Sequence, residues 1–185
     1  RKAGEGDVVK INLNQPLGHR NRAIMEMLYG CGLRVTELVT LRIGDLFFKE
    51  GYVRVVGKGD KQRLVPVGDE AVRFVTLYLE QRPTMRVDPR HAETLFLNNK
   101  GRGLTRVMIY HIIREAARAA GITKHISPHT LRHSFATHLL EGGASIRQVQ
   151  QMLGHESIVT TEIYTHLDGE SLGRNVDLHH PLSDR

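Results

Sequence analysis

The chain has 185 residues, the size of one domain and below the about 250–300 residues at which single cores usually divide. With 26 Lys and Arg against 20 Asp and Glu, the formal net charge is +6, which favours a polyanionic partner. A hydrophobic content of 40% excludes a disordered chain, the single cysteine excludes a disulfide framework and favours the cytoplasm, and no apolar run reaches the roughly 20 residues needed to span a membrane.

The first part of the chain predicts two helices and a hairpin. Apolar spacing predicts a helix over residues 19–30, broken by Gly30 and Gly32, and a second short helix that follows Leu33 and ends near Gly44. Two β-branched runs, YVRVV and RLVPV, then flank a Gly-Lys-Gly-Asp turn. This arrangement predicts a β-hairpin with a strongly basic turn.

The middle of the chain predicts two more helices with a short strand between them. Asp69 is expected to cap a helix that stops before Pro83. Residues 83–94 are expected to form a loop, and the run ETLFLNN a strand. Thr105 opens the next helix, which ends at Gly121. The residues expected to be buried are Val72, Val75 and Leu79 in the first helix and Met108, Ile112, Ala116 and Ala119 in the second.

The last part of the chain predicts three helices. Ser127-Pro128 is a typical helix start, and Leu131, Phe135 and Leu139 form one apolar stripe that ends at Gly142-Gly143. The next helix runs from Ser145 to Gly154, with Ile146, Val149 and Leu153 buried, and a last one starts at Ser157 and carries Tyr164. The polar tail after residue 168 either is disordered or docks elsewhere.

Two familiar nucleotide motifs and a zinc site are disfavoured. The GKGDK turn lacks the Gly and the Ser or Thr of a P-loop, and Gln62 stands where a dinucleotide fingerprint needs its third Gly. His129 and His133 have the spacing of a zinc protease, but no Glu lies between them and Arg132 does. No metal or nucleotide cofactor is therefore expected, and for His133 and His138 ordinary packing or hydrogen bonding is the simpler explanation.

A set of five cationic residues, each at a helix end, turn or loop, remains together with one tyrosine. Taken alone, each has an ordinary explanation, such as an ion pair between Arg34 and Glu37, a solvated turn lysine, or a half-buried core tyrosine. Their combination favours chemistry on an anion. The set is Arg34, Lys58, His129, Arg132, His155 and Tyr164.

The surroundings of these residues carry a family resemblance. The strings YGCGLRVTELVTLRIGDL, VVGKGDKQRLVPV, SPHTLRHSFATHLLEGGASIRQVQQMLGH and TTEIYTH resemble the catalytic domain of the tyrosine recombinases of the phage integrase family. They are most similar to the bacterial Xer-type site-specific recombinases, including the terminal His179-His180-Pro181. The resemblance extends from about residue 17 to the end, and residues 1–16 match poorly.

The resemblance implies a mainly α fold with a small antiparallel β-sheet (α+β). It implies a linker or N-terminal remnant over 1–16, a catalytic domain over 17–168, and a C-terminal tail over 169–185 that docks in trans. By this resemblance we expect the family's separate N-terminal core-binding domain to be absent from this chain. The implied catalytic residues are Tyr164 as nucleophile, Lys58 and His129 as general acid and base, and Arg34, Arg132 and His155 as phosphate ligands.

The implied activity is site-specific cutting and rejoining of DNA strands through a 3′-phosphotyrosine and a Holliday junction, in chromosome dimer resolution or mobile-element integration. The implied partners are double-stranded DNA and a homo- or hetero-tetramer of recombinases on two DNA sites, with no membrane and no small-molecule substrate. The expected location is the bacterial cytoplasm, at the nucleoid. The alternatives are DNA relaxation of the type IB topoisomerase kind and a non-catalytic DNA-binding accessory module.

Overall fold

The computed structural model describes residues 17–154, and in this part helices pack against a three-stranded antiparallel sheet. The predicted fold class, mainly α with a small antiparallel sheet, is confirmed. Short 3₁₀ helices lie at 43–45, 58–60, 82–84 and 89–91. The longer elements are α1 (Gly18–Cys31), α2 (Val35–Thr40), β1 (Leu46–Phe47), β2 (Tyr52–Val56), β3 (Gln62–Pro66), α3 (Asp69–Gln81), α4 (Arg106–Ala119), α5 (Pro128–Glu141) and α6 (Ile146–Leu153).

Helix α1 is the centre of the fold and contacts α2, α3 and α5. Almost all of its residues are buried, as expected for a helix surrounded by others. The prediction that Gly30 breaks this helix is wrong, since Gly30 lies inside α1. The helix ends at Cys31, and the φ of +64° at its C-cap, Gly32, is in the left-handed region.

The sheet has the order β1-β2-β3, and its predicted hairpin is confirmed. Val53 pairs with Val65 and Val55 pairs with Arg63, so these four residues share the face that turns toward the helices. Strand β1 was not predicted, because a strand of two residues has no alternation to detect. The preceding helix α2 ends at Thr40, before the predicted end near Gly44.

Helices α3 and α4 occur where predicted, but the residues expected on their buried faces were partly wrong. The N-cap of α3 is Gly68 instead of Asp69, and Thr105 caps α4 as expected, accepting the N–H of Met108 at 3.3 Å. In both helices most of the buried face is displaced by one residue position from the predicted one. The buried residues are Ala71, Phe74, Val75 and Tyr78 in α3 and Ile109, Ile113, Ala116 and Ala117 in α4, whereas Val72, Leu79, Met108 and Ile112 are half-buried and Ala119 is exposed.

The prediction of a strand at ETLFLNN is wrong. Leu95, Phe96 and Leu97 are buried, but the segment forms isolated bridges only. The N–H of Leu95 donates to the carbonyl of Leu41 at 3.0 Å, and the N–H of Leu97 donates to the hydroxyl of Tyr78 at 3.0 Å. Two partners from separate parts of the fold therefore make the backbone hydrogen bonds that a neighbouring strand would make in a sheet.

Helices α5 and α6 agree closely with the sequence. Leu131, Phe135 and Leu139 are buried as one stripe, and Ser127 accepts the N–H of Thr130 at 3.2 Å. In α6 the side chains of Val149, Met152 and Leu153 are buried, whereas Ile146, expected to be buried, is half-buried. The helix predicted from Ser157 lies outside the described residues. Within 17–154, no helix is long and apolar enough to cross a membrane.

Replacing Gly32 by Ala is expected to lower the free energy of unfolding by about 2–4 kcal/mol. An added Cβ would lie 2.8 Å from Leu153 Cδ2 and closer still to the Phe135 ring, at a φ that L side chains rarely adopt. Urea denaturation measures the change. Gly44→Ala is the control, since a Cβ there meets nothing within 4 Å. Equal stability of the two variants would contradict the prediction.

Candidate active site

A cleft of about 360 Å³ opens between the β2–β3 turn, the start of α2 and the end of α6. Arg34 and Lys58 line it together, although α2, β1 and β2 separate them along the chain. None of the described lining residues is acidic, so the cleft is a positively charged recess suited to an anion. The other lining residues are Gly57, Lys61, Gln62, Arg63, Gln150, Gln151 and Gly154.

Arg34 is exposed at the N-cap position of α2, with extended backbone angles. Its backbone N–H donates to Glu37 Oε1 at 2.8 Å. The ion pair between the Arg34 and Glu37 side chains, one explanation considered from the sequence, is not formed, because Glu37 binds the guanidinium of Arg63 instead. Within residues 17–154 no carboxylate forms a salt bridge with Arg34, so its side chain faces the cleft as a cation.

Lys58 lies on the tight turn that joins β2 to β3, and its side chain is exposed. The turn is closed by a hydrogen bond of 2.7 Å from the N–H of Gly57 to the carbonyl of Lys61. Gly59 and Asp60 have φ values of +72° and +58°, so the chain reverses within a few residues. The turn thereby places an exposed lysine at the edge of the cleft, opposite the start of α2.

Glu37 is buried beneath the cleft and joins three parts of the fold. Its two carboxylate oxygens accept the two terminal guanidinium nitrogens of Arg63, with Nη2 at 2.9 Å from Oε1 and Nη1 closer still to Oε2. Nη1 of Arg132 lies 3.8 Å from Oε1. Burial by itself raises the pKa of Glu37, but the bonds from Arg63 and from the Arg34 backbone, together with the nearby Arg132 charge, hold it below its ordinary value. Glu37 is therefore a carboxylate at neutral pH.

The two α5 residues proposed from the sequence lie in different environments. Arg132 is buried and donates to the carbonyl of Gly32 at 2.8 Å and to that of Leu153 at 2.5 Å. His129 lies one helical turn earlier and is exposed. Neither residue lines the cleft, although the bond to Leu153 places the guanidinium of Arg132 next to Gly154, which does.

Two of the six proposed residues, His155 and Tyr164, lie outside the described part of the chain. Gly154, the residue before His155, lines the cleft and ends α6 with a φ of +67°. The structure thus brings Arg34 and Lys58 together in one cleft, and Arg132 lies next to them because it binds the end of α6.

His133, next to Arg132 in sequence, has a pKa lowered by burial and by the charge of His129.

Cys31 is a second potential nucleophile, and its environment makes it unreactive. The thiol is fully buried at the end of α1. Burial and then the nearby Glu26 charge raise its pKa to about 12, so the reactive thiolate is scarce at neutral pH.

Sequence reasoning did not identify Glu37 and Arg63 as parts of the site. One signal was present: Arg63 stands two residues before the buried Val65 in a strand, so both side chains share the inward face. A charge in such a position needs a buried partner of opposite sign. The alternation therefore indicated that an ion pair exists, but it did not indicate Glu37 as the partner.

Comparison with known proteins identifies the family. The profile described as the phage integrase family matches residues 7–171, which is most of the chain. The chain belongs to this family, the tyrosine recombinases.

Similar curated tyrosine recombinases bear the name XerD. The chain is 52% identical over 153 residues to the one from Listeria monocytogenes serotype 4b, covering 82% of this chain and 52% of the relative. It is 46% identical over 170 residues to the one from Pseudomonas putida, covering 92% and 57%. The chain thus spans about half the length of the curated relatives it matches. The resemblance to Xer-type recombinases is confirmed.

Solved structures agree with this assignment. XerA recombinase superposes with a TM-score of 0.73 at 39% identity, covering 88% of this chain and 57% of that one. XerH site-specific recombinase bound to palindromic difH substrate in a post-cleavage complex superposes with a TM-score of 0.74 at 32% identity, covering 85% and 45%. The helices and small sheet described above are therefore those of a tyrosine recombinase catalytic domain.

Replacing Glu37 by Gln is expected to lower the free energy of unfolding by about 2 kcal/mol or more near neutral pH, because the buried Arg132 and the half-buried Arg63 lose their anion. The pKa of Glu37 is lower in the folded chain than the about 4.3 of an unfolded glutamate. The stabilisation by the ionised Glu37 is therefore fully present above the unfolded-state pKa and is lost as the pH falls through the folded-state pKa. The difference from the wild type should shrink below about pH 4.

Denaturation at several pH values measures this dependence. Glu50→Gln, at an exposed position, is the control and should track the wild type throughout. A stability gap for Glu37→Gln that stays constant with pH would contradict the assignment of an ionised Glu37.

Proposed function

We propose that this chain is the catalytic domain of a site-specific recombinase that cuts and rejoins duplex DNA through a 3′-phosphotyrosine intermediate. The observation that carries the proposal is the shared cleft of Arg34 and Lys58, which has cationic walls and ends at Gly154, directly before His155. The family and the similarity to XerD and to a DNA-bound XerH support it.

A phosphodiester gains negative charge as it is attacked, so a site that cuts it needs cations already in place. A guanidinium suits this task because it stays charged at any working pH and its planar fork can hold two oxygens. In our proposal Arg34 binds the scissile phosphate from the exposed side of the cleft. Arg132 acts from the buried side, and a guanidinium has five N–H donors, so its bonds to two carbonyls are compatible with a phosphate contact. His155 adds a further donor.

The covalent step is assigned to Tyr164, whose phenolic oxygen bonds to phosphorus as the bond from phosphorus to the 5′-oxygen breaks. A phenol with a pKa of about 10 is mostly protonated at neutral pH, so the step needs a base and nearby cations. A histidine imidazole can accept a proton near neutral pH, and we assign to His129 the role of taking the phenolic proton. Lys58, on the exposed turn, gives a proton to the leaving 5′-oxygen. The bond energy is kept in the phosphotyrosine, so rejoining requires no nucleotide.

The assembly we propose is a homo- or hetero-tetramer on two DNA sites that exchanges strands through a Holliday junction. Its proposed role is chromosome dimer resolution or mobile-element integration, and we propose that it acts in the bacterial cytoplasm at the nucleoid, where its DNA substrate lies. In this assembly residues 17–168 catalyse the reaction, residues 1–16 form a linker, and the tail 169–185 docks into the neighbouring subunit.

Tyr164→Phe is expected to abolish the covalent protein–DNA adduct and to change the affinity for DNA by no more than about threefold, because the variant loses only the attacking oxygen. The protein is incubated with fragmented and nicked host DNA, the reaction is stopped with detergent, and protein-linked DNA is recovered and sequenced. The recovered sequence then defines a suicide duplex for quantitative work.

Tyr52→Phe is the matched control, since the Tyr52 ring stacks on Phe47 and lies away from the cleft. It should form the adduct at the wild-type rate. An adduct that survives in Tyr164→Phe would refute the assignment of the nucleophile. On a substrate with two sites, relaxation without any strand exchange would show a topoisomerase instead of a recombinase.

Deleting residues 169–185 is expected to weaken tetramer assembly on two sites at least about tenfold more than binding to a single site, since each protomer would lose a contact that only assembly forms. Gel shifts on one-site and two-site duplexes measure both affinities. Within this tail we propose that residues of about 170–178 make the contact, so deleting 181–185 alone retains it and is the control. An equal loss in both assays would contradict docking in trans.

A further inference from the structure

We propose that Arg63 is a positioning residue that fixes the Lys58 turn against the start of α2, so that transfer of the proton to the leaving 5′-oxygen depends on it. The inference rests on the proposed function, in which Lys58 supplies this proton and Arg34 binds the phosphate. It assigns to Arg63 a role through Lys58 and not a contact with DNA.

The guanidinium of Arg63 connects three elements. It projects from the second residue of β3, directly after the turn that carries Lys58. Its two terminal nitrogens bind the carboxylate of Glu37 in α2, and its Nε donates to the carbonyl of Met152 in α6 at 2.8 Å. Only 14% of the Arg63 side chain is exposed. One side chain thus ties the hairpin to both helices that border the cleft.

The same contacts distinguish Arg63 from the other cations of the cleft. All three of its guanidinium nitrogens already bind protein acceptors, two on Glu37 and one on Met152. Arg34 and Lys58 form no salt bridge with the described carboxylates and are exposed. Arg63 therefore holds the base of the cleft in place, whereas Arg34 and Lys58 are positioned to bind the anion.

Glu37 is held by the N-cap of its own helix, α2, so Arg63 aligns the hairpin with a carboxylate whose bond to Arg34 does not depend on Arg63. The oxygen of Glu37 that accepts Arg63 Nη2 also accepts the backbone N–H of Arg34, at 2.9 Å and 2.8 Å respectively. A rigid path of two hydrogen bonds thus links the strand that follows Lys58 to the residue proposed to bind phosphate. General acid catalysis requires the donor within hydrogen-bond reach of the leaving oxygen, so this spacing sets the rate of proton transfer.

The end of α6 is shaped to accept the guanidinium. A Cβ at Gly154 would lie 3.1–3.2 Å from the Nη1, Cδ and Cζ atoms of Arg63, which is tighter than ordinary contact. Gly154 also has a φ of +67°. Because Gly154 has no side chain, it leaves room for Arg63 to pack against the end of α6, directly before His155.

The test compares two leaving groups on the suicide duplex defined by the trapping experiment. In the normal duplex, the bond from phosphorus to the 5′-oxygen breaks and that oxygen needs a proton. In a duplex with 5′-bridging sulfur at the same position, the bond from phosphorus to sulfur breaks and a thiolate leaves without one. A defect in proton delivery slows the first reaction and spares the second, whereas a defect in phosphate binding or in folding slows both.

The variants are Arg63→Met, Arg63→Lys and Lys58→Met, and the rate of adduct formation is measured at saturating DNA. We expect Arg63→Met to lose about tenfold to a hundredfold on the oxygen duplex, as small misplacements of reacting groups do, and to stay within about threefold of the wild type on the sulfur duplex. Lys58→Met should show the same pattern. Affinity for DNA should change less than about threefold.

Arg63→Lys provides a variant that keeps a cation against the buried Glu37 if Arg63→Met fails to fold. A single ammonium cannot bind both Glu37 oxygens and the Met152 carbonyl in the geometry of the guanidinium fork, so a selective loss of at least about fivefold is expected. The matched control is Arg82→Met. Arg82 also ties chain segments together, donating to the carbonyls of Ala92 at 2.8 Å and Thr94 at 2.7 Å, but it does not line the cleft.

Equal losses on the two duplexes, or no loss in a folded Arg63 variant, would overturn the inference while leaving the proposed function intact. A selective loss in Arg82→Met of the same size would also overturn it, because any weakening of the fold would then produce the pattern. If the wild-type protein forms no adduct on the oxygen duplex and none on the sulfur duplex, the proposed function is overturned, and this inference with it.

Discussion

A buried carboxylate held between two guanidinium groups is the interaction on which the candidate site depends. Glu37 accepts hydrogen bonds from Arg63 and from the backbone of Arg34, and Arg132 lies 3.8 Å away. Burying an unpaired charge costs several kcal/mol, so α2, β3 and α5 must meet at this point in one geometry. The walls of the cleft meet at these charges, because α2 begins beside Glu37, the Lys58 turn leads into Arg63, and Arg132 binds the last turn of α6.

The site therefore has two layers of positive charge with different tasks. In the lower layer, Arg63 and Arg132 are bound by protein acceptors, namely Glu37 and the carbonyls of the last turn of α6. In the upper layer, Arg34 and Lys58 are exposed and face the cleft. This division explains how a cluster of like charges can fold: the two lower cations share the Glu37 carboxylate and bind carbonyl oxygens, and the exposed ones are screened by solvent until an anion arrives.

The elements that sequence reasoning predicted well are those whose local pattern has one interpretation. The apolar stripe of α5 and the hairpin around Gly57–Asp60 are examples, because period and turn chemistry agree there. The wrong predictions arose where tertiary contacts decide. Leu95–Leu97 forms no strand because Leu41 and Tyr78 satisfy its backbone, and the buried face of α3 is shifted because Phe74 and Tyr78 fill the core beside α1.

The sequence by itself determined the family, the order of the reactive residue types and the class of fold, because these depend on residue identity and short-range spacing. Only the tertiary structure decided which charges are paired and which face the cleft. Glu37 had its nearest candidate partner at Arg34 in the sequence, yet its carboxylate binds Arg63, 26 residues away, and leaves the Arg34 side chain exposed. The physical reason is that Coulomb energy and desolvation depend on distance and burial in space, which spacing along the chain does not set.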